Sequence, residues 1–452
     1  MTHDPWPLLG CPECGGRLVP GEAVGCTGCG STWPTLDGIP WLVSPAADTL
    51  GAWRSQLRAH VSALATQSTL YRAALDAAAT DGARRRLGLL AEACADHARR
   101  LAELLAPLGV TESAAAPEAY RAVAAALPPG QSLTSYYANL HRDWCWGDAE
   151  NAAALDSIDR ALGPGPVGRM LVPGCGAGRL AYDLHGLRRP ALTVAADLNP
   201  LMLAAAARIW RGEHVRLHEF PIAPRDAESQ ALLRTLEAPA PAAPGLWPVF
   251  ADVTAPPFAA ASFDTVVTHW LVDVIDDDFA TFAARVNHWL APGGRWVNSG
   301  SFFFQNHAPA ACHAADELPG LLAAAGFDEV EVREEQVPYL ASPASRHARL
   351  ERVVTFSARV RTRVPVPAPR RHAPAWLERA DAALPMTPQV EAHVLALRVQ
   401  GYIASLVDGR RTIADVASLL VRDRLLPADE ALAAVRGFMQ RFYADASASP
   451  RP

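Results

Sequence analysis

The sequence predicts an α/β chain built on an open, mostly parallel sheet with helices on both faces. A small cysteine-rich segment precedes this core, and helical pieces lie before and after it. Three observations predict this. Between about Asp156 and Arg363, short apolar runs alternate with helical runs, the pattern of a sheet fed by crossover helices. Within that region, Met170 to Asn199 reads as strand, glycine loop, helix, strand and acidic residue, with Gly174, Gly176 and Gly178 in the loop and Asp197 closing the second strand. Near the start, Cys11-Pro12-Glu13-Cys14 and Cys26-Thr27-Gly28-Cys29 form two Cys-x-x-Cys knuckles.

A chain of 452 residues holds about two to four domains. Half of its residues are hydrophobic, so a sizeable core is available. The formal charge is −6 and the sequence pI is near 6.2, which argues against a general nucleic-acid binder. All 41 basic residues are Arg, and the lack of Lys excludes Schiff-base and lysine-nucleophile chemistry. No apolar run reaches the ~18 residues of a membrane helix, and the start "MTHDPWPLLG" lacks the charged and apolar regions of a signal peptide. The other four cysteines, Cys94, Cys145, Cys175 and Cys312, are scattered. That usage fits a reducing cytoplasm better than a disulfide framework.

In order, residues 1–45 are expected to form a ribbon in which Cys11, Cys14, Cys26 and Cys29 place four thiolates around a structural zinc ion, with glycines allowing the tight turns. Chance disulfides are the weaker alternative. Residues 46–130 carry apolar positions at helical spacing and read as two long helices broken near Asp81-Gly82 and Pro107, a cap packed on the next domain. The aromatic segment from Ser132 to Asn151 reads as a pocket wall, in which Arg142 could grip a carboxylate with two hydrogen bonds.

Residues 131–364 are the expected core. Pro200 to Arg211 reads as a helix, and residues 212 to 248 are poorly patterned, with a surface loop from Glu237 to Gly245. A short strand is expected to end at Asp252, and another to run from Thr265 to about Trp270. A helix then ends at Pro292-Gly293-Gly294, and further strands and one helix follow. Asp276, Asp277 and Asp278 read as a solvated helix start and not as a metal site. His269 on its strand reads first as a packed core histidine, and Cys175 as a small filler. Residues 365–375 are Pro-rich and basic and read as a linker. Residues 376–452 are expected to form a helical or winged-helix module, with Thr412 capping one helix.

Two chemistries share a strand–glycine loop–helix opening, NAD(P) binding and S-adenosylmethionine (SAM) binding. The dinucleotide fingerprint needs a glycine at 179, where this chain has Arg179. The G-x-G-x-G spacing, the acidic Asp252 and the Pro-Gly-Gly turn fit SAM enzymes better. An NAD-dependent oxidoreductase is therefore disfavoured.

Three resemblances add to this. The two knuckles and "STWPTLDGIPWLV", Ser31 to Val43, resemble the small zinc-ribbon proteins that activate tRNA and protein methyltransferases. Over about 220 positions, the core resembles carnosine N-methyltransferase and its relatives. The matching stretches are "NLHRDW" from Asn139, "LVPGCGAGRLAYDL" from Leu171, "DTVVTHWLVDV" from Asp264 and "LAPGGRWVNSG" from Leu290. This resemblance implies a Rossmann-like SAM-methyltransferase sheet, with Arg142 and Arg179 holding the SAM carboxylate, Asp197 the ribose and Asp252 beside the adenine. It also implies Asp273 as the substrate-binding aspartate. Where the family carries a histidine for the substrate imidazole, this chain has Gln305, which cannot act as a base. Either His307 takes that role or the substrate is not an imidazole. Finally, "LVDGRRTIADVASLLV" faintly resembles the PqqD-like modules that capture precursor peptides.

The resulting expectation is a SAM-dependent N-methyltransferase acting on a small peptide or a peptide side chain such as histidine. Asp273 and His307 are the candidate catalytic residues, and a precursor peptide is the candidate partner of the C-terminal module. No nucleic acid or membrane is expected. The alternative is a non-catalytic scaffold of the same fold that recruits partners through ribbon and module.

Overall fold

A computed structural model of the chain describes residues 4–109, 132–275, 277–304, 309–366 and 383–447. They form two compact units that part near residue 370.

The first unit opens with an antiparallel meander, β1 (Leu18–Val19), β2 (Ala23–Cys26), β3 (Thr32–Leu36) and β4 (Ile39–Pro40). Trp33 is buried beneath it and donates its indole N–H to the Val43 carbonyl at 2.8 Å. A helical hairpin follows, α1 (Ala46–Ala73) and α2 (Asp81–Leu104). Thr80 caps α2 by accepting from the Ala83 N–H at 3.1 Å, satisfying a donor that has no partner within the helix. The expected break near Asp81-Gly82 is a short connection before α2. The continuation to Leu127 lies mostly outside the described residues.

A short helix, α3 (Tyr137–His141), runs into a π-helical turn at Arg142–Trp146 and then α4 (Asp148–Leu162). The core continues with β5 (Arg169–Pro173), α5 (Arg179–Arg188), β6 (Leu192–Asp197) and α6 (Pro200–Trp210). Next come β7 (Val215–Glu219), β8 (Leu232–Leu236), β9 (Leu246–Phe250), β10 (Phe263–His269), α7 (Phe279–Trp289) and β11 (Leu290–Gly300). It closes with α8 (Leu318–Ala324), β12 (Phe327–Tyr339) and β13 (Arg349–Val360).

Seven strands make the main sheet, in the order β12-β13-β11-β10-β5-β6-β9. Pairing from β11 through β10, β5 and β6 to β9 is parallel, and β13 is antiparallel to both β11 and β12. The sheet is thus α/β and mostly parallel, as expected. Every residue of β6 is buried, because interior parallel strands are covered on both faces. Side chains alternate between the two cores: Met170 and Val172 join one cluster and Leu171 the other. Between β10 and β11 the register jumps from Phe263–Leu290 to Thr265–Arg295, where the Pro292-Gly293-Gly294 turn takes up the extra residues.

Three local differences from expectation have plain causes. The third strand stops at Phe250 and not at Asp252: Ala251 still donates to the Asp197 carbonyl at 3.0 Å, but β6 itself ends at Asp197 and offers no further partner strand. The poorly patterned region holds a hairpin, β7 with β8; its strands alternate weakly because they pack on the cap and not in the main sheet. The Pro/Ala stretch is a loop, yet Ala238 and Ala242 rest partly on the core.

The edge strand β9 does not end the sheet. Trp41 bridges Phe250 in parallel fashion, Leu42 donates to the Phe250 carbonyl at 2.9 Å, and the Trp41 ring stacks on Phe250 at 3.7 Å. The cysteine-rich meander therefore covers an edge that would otherwise present unpaired backbone groups.

The second unit contains α9 (Pro388–Ser405), α10 (Ile413–Arg422) and α11 (Ala428–Ser447) around a small core that includes Ile403, Val416, Leu420 and Val435. Thr412 caps α10 with a reciprocal Asp415 bond, as its sequence predicts. Among the described residues this unit has no strand, so the helical form of the expected module is the one observed.

Candidate functional site

The C-terminal ends of the parallel strands surround a cavity of about 1000 Å³, at the upper end of the usual range for ligand sites. The glycine loop after β5 forms its floor. Gly174, Gly176 and Gly178 all have positive φ, a region that side chains other than glycine rarely adopt. A Cβ on Gly178 would stand 2.4 Å from the Trp210 ring, so this glycine lets α5 and α6 pack. A Cβ on Gly176 would meet nothing within 4 Å, because that position faces the open cavity.

Asp197, at the end of β6, locks the loop. One carboxylate oxygen accepts from the Gly176 N–H and the other from the Asn199 N–H, both at 2.8 Å. Burial pushes its pKa up while those backbone N–H groups oppose the shift. Each oxygen keeps a second lone pair, and Asp197 lines the cavity. Asp252 also lines it; one of its oxygens accepts from both the N–H and the hydroxyl of Thr254, at 2.8 and 2.7 Å. An open glycine floor between the acidic end of β6 and Asp252, two residues beyond β9, suits a ribose and its base. The residues present therefore fit a nucleoside cofactor.

The π-helical turn supplies the next wall, and such turns often mark functional positions. Arg142 is buried there, with Nε and one terminal nitrogen each 2.7 Å from the same Asp143 oxygen. Its guanidinium lies 5.6 Å from the Tyr339 ring. The Trp144 indole donates to the Ala177 carbonyl at 2.7 Å, tying this turn to the glycine loop.

Arg179 does not line the cavity. Its Nε pairs with Asp183 at 2.8 Å and another nitrogen donates to the Asp143 carbonyl at 2.7 Å. It braces the Arg142 turn against α5.

On the opposite side, Asp273 is buried but does not line the cavity either. It accepts from the Ser301 hydroxyl and from the Phe303 N–H, the latter at 3.0 Å, so it holds the segment that leaves β11. Ser301, Phe302 and Phe303 of that segment do face the cavity. Gln305 and His307 lie outside the described residues.

The structure adds residues to the site, among them His269, which the sequence reads first as a packed core histidine. His269, last in β10, lines the cavity. Burial, then the nearby Arg142 charge, push its pKa down to about 3. Its place at a strand's C-terminal end, where such sheets bind ligands, was the available signal. Trp270 has φ of +52 and lines the cavity beside Tyr339, ring centres 4.6 Å apart. Backbone strain of this kind clusters at functional sites. Tyr339, Arg349 and Glu351 arrive from the β12–β13 hairpin, and no local pattern marked them. Cys175 is half-buried in the loop, and desolvation pushes its thiol pKa well up, which suits a filler and not a nucleophile. Asp278 caps α7 and Asp277 pairs with Arg285 at 2.6 Å, as expected of a helix start.

Away from the cavity, the four knuckle cysteines bring their sulfurs within 4.8 Å of one another. Cys11 and Cys29 are 3.6 Å apart and Cys14 and Cys26 3.5 Å, close to the ~3.8 Å edge of a tetrahedron with ~2.3 Å metal–sulfur bonds. The Glu13, Gly16 and Gly28 N–H groups point at these sulfurs at 3.3 to 3.4 Å. The cluster could hold a tetrahedral metal ion.

Residues 171–297 match the family described as "Methyltransferase domain". No curated protein matches the chain. Among solved structures, it is similar to phosphoethanolamine N-methyltransferase 2 of Haemonchus contortus, at 20% identity and a TM-score of 0.29. That match covers 42% of this chain and 39% of the nematode chain, well under two thirds of the latter's length. It is also similar to the N-methyltransferase NodS of Bradyrhizobium japonicum, at 17% identity and TM-score 0.33, covering 48% of this chain and 98% of that one. A third match is a chain from the Haloferax volcanii complex containing the Trm112 methyltransferase activator, at 13% identity and TM-score 0.34, covering 50% and 97%.

Proposed function

We propose that the chain, whose residues 171–297 match the methyltransferase-domain family, is a SAM-dependent methyltransferase that methylates a nitrogen of a small peptide or of a peptide side chain, histidine being the leading case. One observation carries the SAM part of this reading. The glycine floor opens at Gly176 directly beside the buried Asp197, with Asp252 further along the same cavity. Asp197 would receive ribose hydroxyls, Asp252 would sit by the adenine and Arg142 would take the carboxylate. Bound SAM would supply a methyl group carried on a sulfonium sulfur.

The chain's own residues then have three tasks. Arg179 and Trp144 hold the Arg142 turn against the loop. Asp273 orders Ser301 to Phe303, which with Trp270 and Tyr339 form an aromatic wall for the methyl acceptor. That wall would hold the acceptor beside SAM, and holding two reactants together can by itself supply much of the rate. His307 remains the proposed acceptor-side base.

The cysteine cluster would bind zinc structurally, since four sulfurs leave no open position. The second unit would hold a precursor peptide.

Isothermal titration with SAM tests the reading, followed by methyl transfer to histidine-containing dipeptides and peptides. Nanomolar to micromolar SAM binding and turnover are expected. A wild type without SAM affinity would sink the proposal; binding without turnover on any peptide would favour the scaffold alternative.

A further inference from the structure

We infer that Arg349, on β13, sets substrate specificity by receiving a carboxylate of the methyl acceptor. This rests on the methyltransferase reading and deepens its substrate class. The acceptor nitrogen then belongs to a molecule that also carries a carboxylate within reach of the β12–β13 hairpin.

The hairpin register builds the site. Arg349 stands directly across from Tyr339, and Glu351 across from Val337. Residues two apart share one face of a strand, so Arg349 and Glu351 point the same way. Both line the cavity, together with Tyr339. The Tyr339 ring is buried and packs against Trp270, ring centres 4.6 Å apart. It is a fixed platform, and the Arg349 guanidinium lies 4.7 Å from its centre, within the range of a cation–π contact.

Two neighbours thus aim the guanidinium. Tyr339 supports it from one side, and Glu351 takes its Nε edge at 3.3 Å. Its two terminal nitrogens have no hydrogen-bond partner among the described residues, and the side chain is half exposed toward the cavity it lines. A planar fork held at two points with its outer edge open matches a carboxylate, which accepts two parallel N–H bonds. Arg352 also lines the cavity, but it is two-thirds exposed and pairs with Glu334 at 3.5 Å. No ring among the described residues supports it.

The surroundings restrict the anion. Glu334 and Glu351 line the same cavity, so a phosphate dianion at the fork would meet two carboxylates, and like charges side by side are costly. A single carboxylate satisfies the fork with less repulsion. It can come from a free peptide C-terminus or from an acidic side chain beside the methylated residue, and the test separates the two.

The measurement is steady-state methyl transfer from SAM by the full chain to three probes. These are glycyl-histidine, its C-terminal amide, and amidated glycyl-histidyl-aspartate, whose carboxylate is on a side chain. The wild type should favour a carboxylate-bearing probe over the amide by about 5- to 30-fold in kcat/KM, mostly through KM. That is the range of a hydrogen bond to a charged group, reduced for a half-exposed site. The probe that is favoured names the source of the carboxylate. Arg349→Gln should lose the preference while acting on the amide within about twofold of wild type, and Arg349→Lys should keep part of it. In both variants the affinity for S-adenosylhomocysteine, read by titration, should stay within about twofold of wild type. That readout shows that they fold and that Arg349 does not serve the cofactor. A preference that survives in Arg349→Gln, a wild type that treats the three probes alike, or a loss of S-adenosylhomocysteine affinity in the variants overturns the inference and leaves the methyltransferase reading standing. Binding of S-adenosylhomocysteine without methylation of any probe also overturns the inference. If the wild type does not bind S-adenosylhomocysteine at all, the methyltransferase reading itself fails and the inference with it.

Discussion

Acid should loosen the junction between the helical cap and the core, because buried neutral histidines meet there. His60 on α1, His97 on α2, His141 on α3 and His218 on β7 converge around Tyr137 and Phe220. Both ring nitrogens of His141, Nδ1 of His97 and Nε2 of His60 are buried without a hydrogen-bond partner in the described residues. Burial lowers the pKa of His60 to about 4 and of His141 to about 3, the latter helped by Arg234. Burial, then the neighbouring histidines, put His97 well below its ordinary value. His218 is the exception in part, since Asp96 accepts from it at 2.8 Å; Arg100 and Arg99 face the same carboxylate.

The sign follows from proton counting. The folded chain keeps these rings neutral, while the unfolded chain protonates them below about pH 6.5. Their stabilising effect is thus complete above about pH 6.5 and is lost as pH falls toward the folded values near 4 and 3. Between about pH 7.5 and 5.5 each such histidine costs about 1.4 kcal/mol, so His60, His97 and His141 together cost about 4 kcal/mol. Urea unfolding followed by tryptophan fluorescence across that pH range measures it. His141→Leu should flatten the pH slope by about a third. Stability that stays constant down to about pH 5.5, or a slope untouched by His141→Leu, would refute the reasoning.

Four other outcomes are expected. Gly176→Arg fills the open floor and should abolish SAM binding by titration, with a lower melting temperature from the strain of a side chain at its positive φ. Gly178→Ala, whose Cβ would stand 2.4 Å from Trp210, should lower the melting temperature, because strain at positive φ and overpacking each cost about 1 to 3 kcal/mol. Cys14→Ser should lower bound zinc, read by elemental analysis, and destabilise the β9 edge. Trp41→Ala removes the stack on Phe250 and should cost about 3 to 5 kcal/mol, read as a lower midpoint in urea.

Much of the fold was legible because its signals are local. The knuckles, the loop from Gly174 to Gly178 and Asp197 are each specified within about 30 residues. The alternation of strands and helices in the core is likewise a short-range pattern. The β7–β8 hairpin escaped because its apolar faces meet the cap and not the main sheet. Arg179 and Asp273 also sit differently from what their neighbours in sequence suggest. Sequence places both next to site residues, but Arg179 is turned onto Asp183 and the Asp143 carbonyl, and Asp273 onto Ser301 and Phe303.

By itself, then, the sequence determined the α/β class, the four-cysteine cluster and the glycine floor, since each depends on residue type at fixed short spacing. Only the tertiary structure decided what faces the cavity. Arg142, His269 and Tyr339 stand far apart along the chain and meet because β10 and β12 lie in the same sheet, across which α4 and its preceding turn pack. Strand register and helix docking set those meetings, and both come from long-range burial of apolar surface, which no short window of sequence contains.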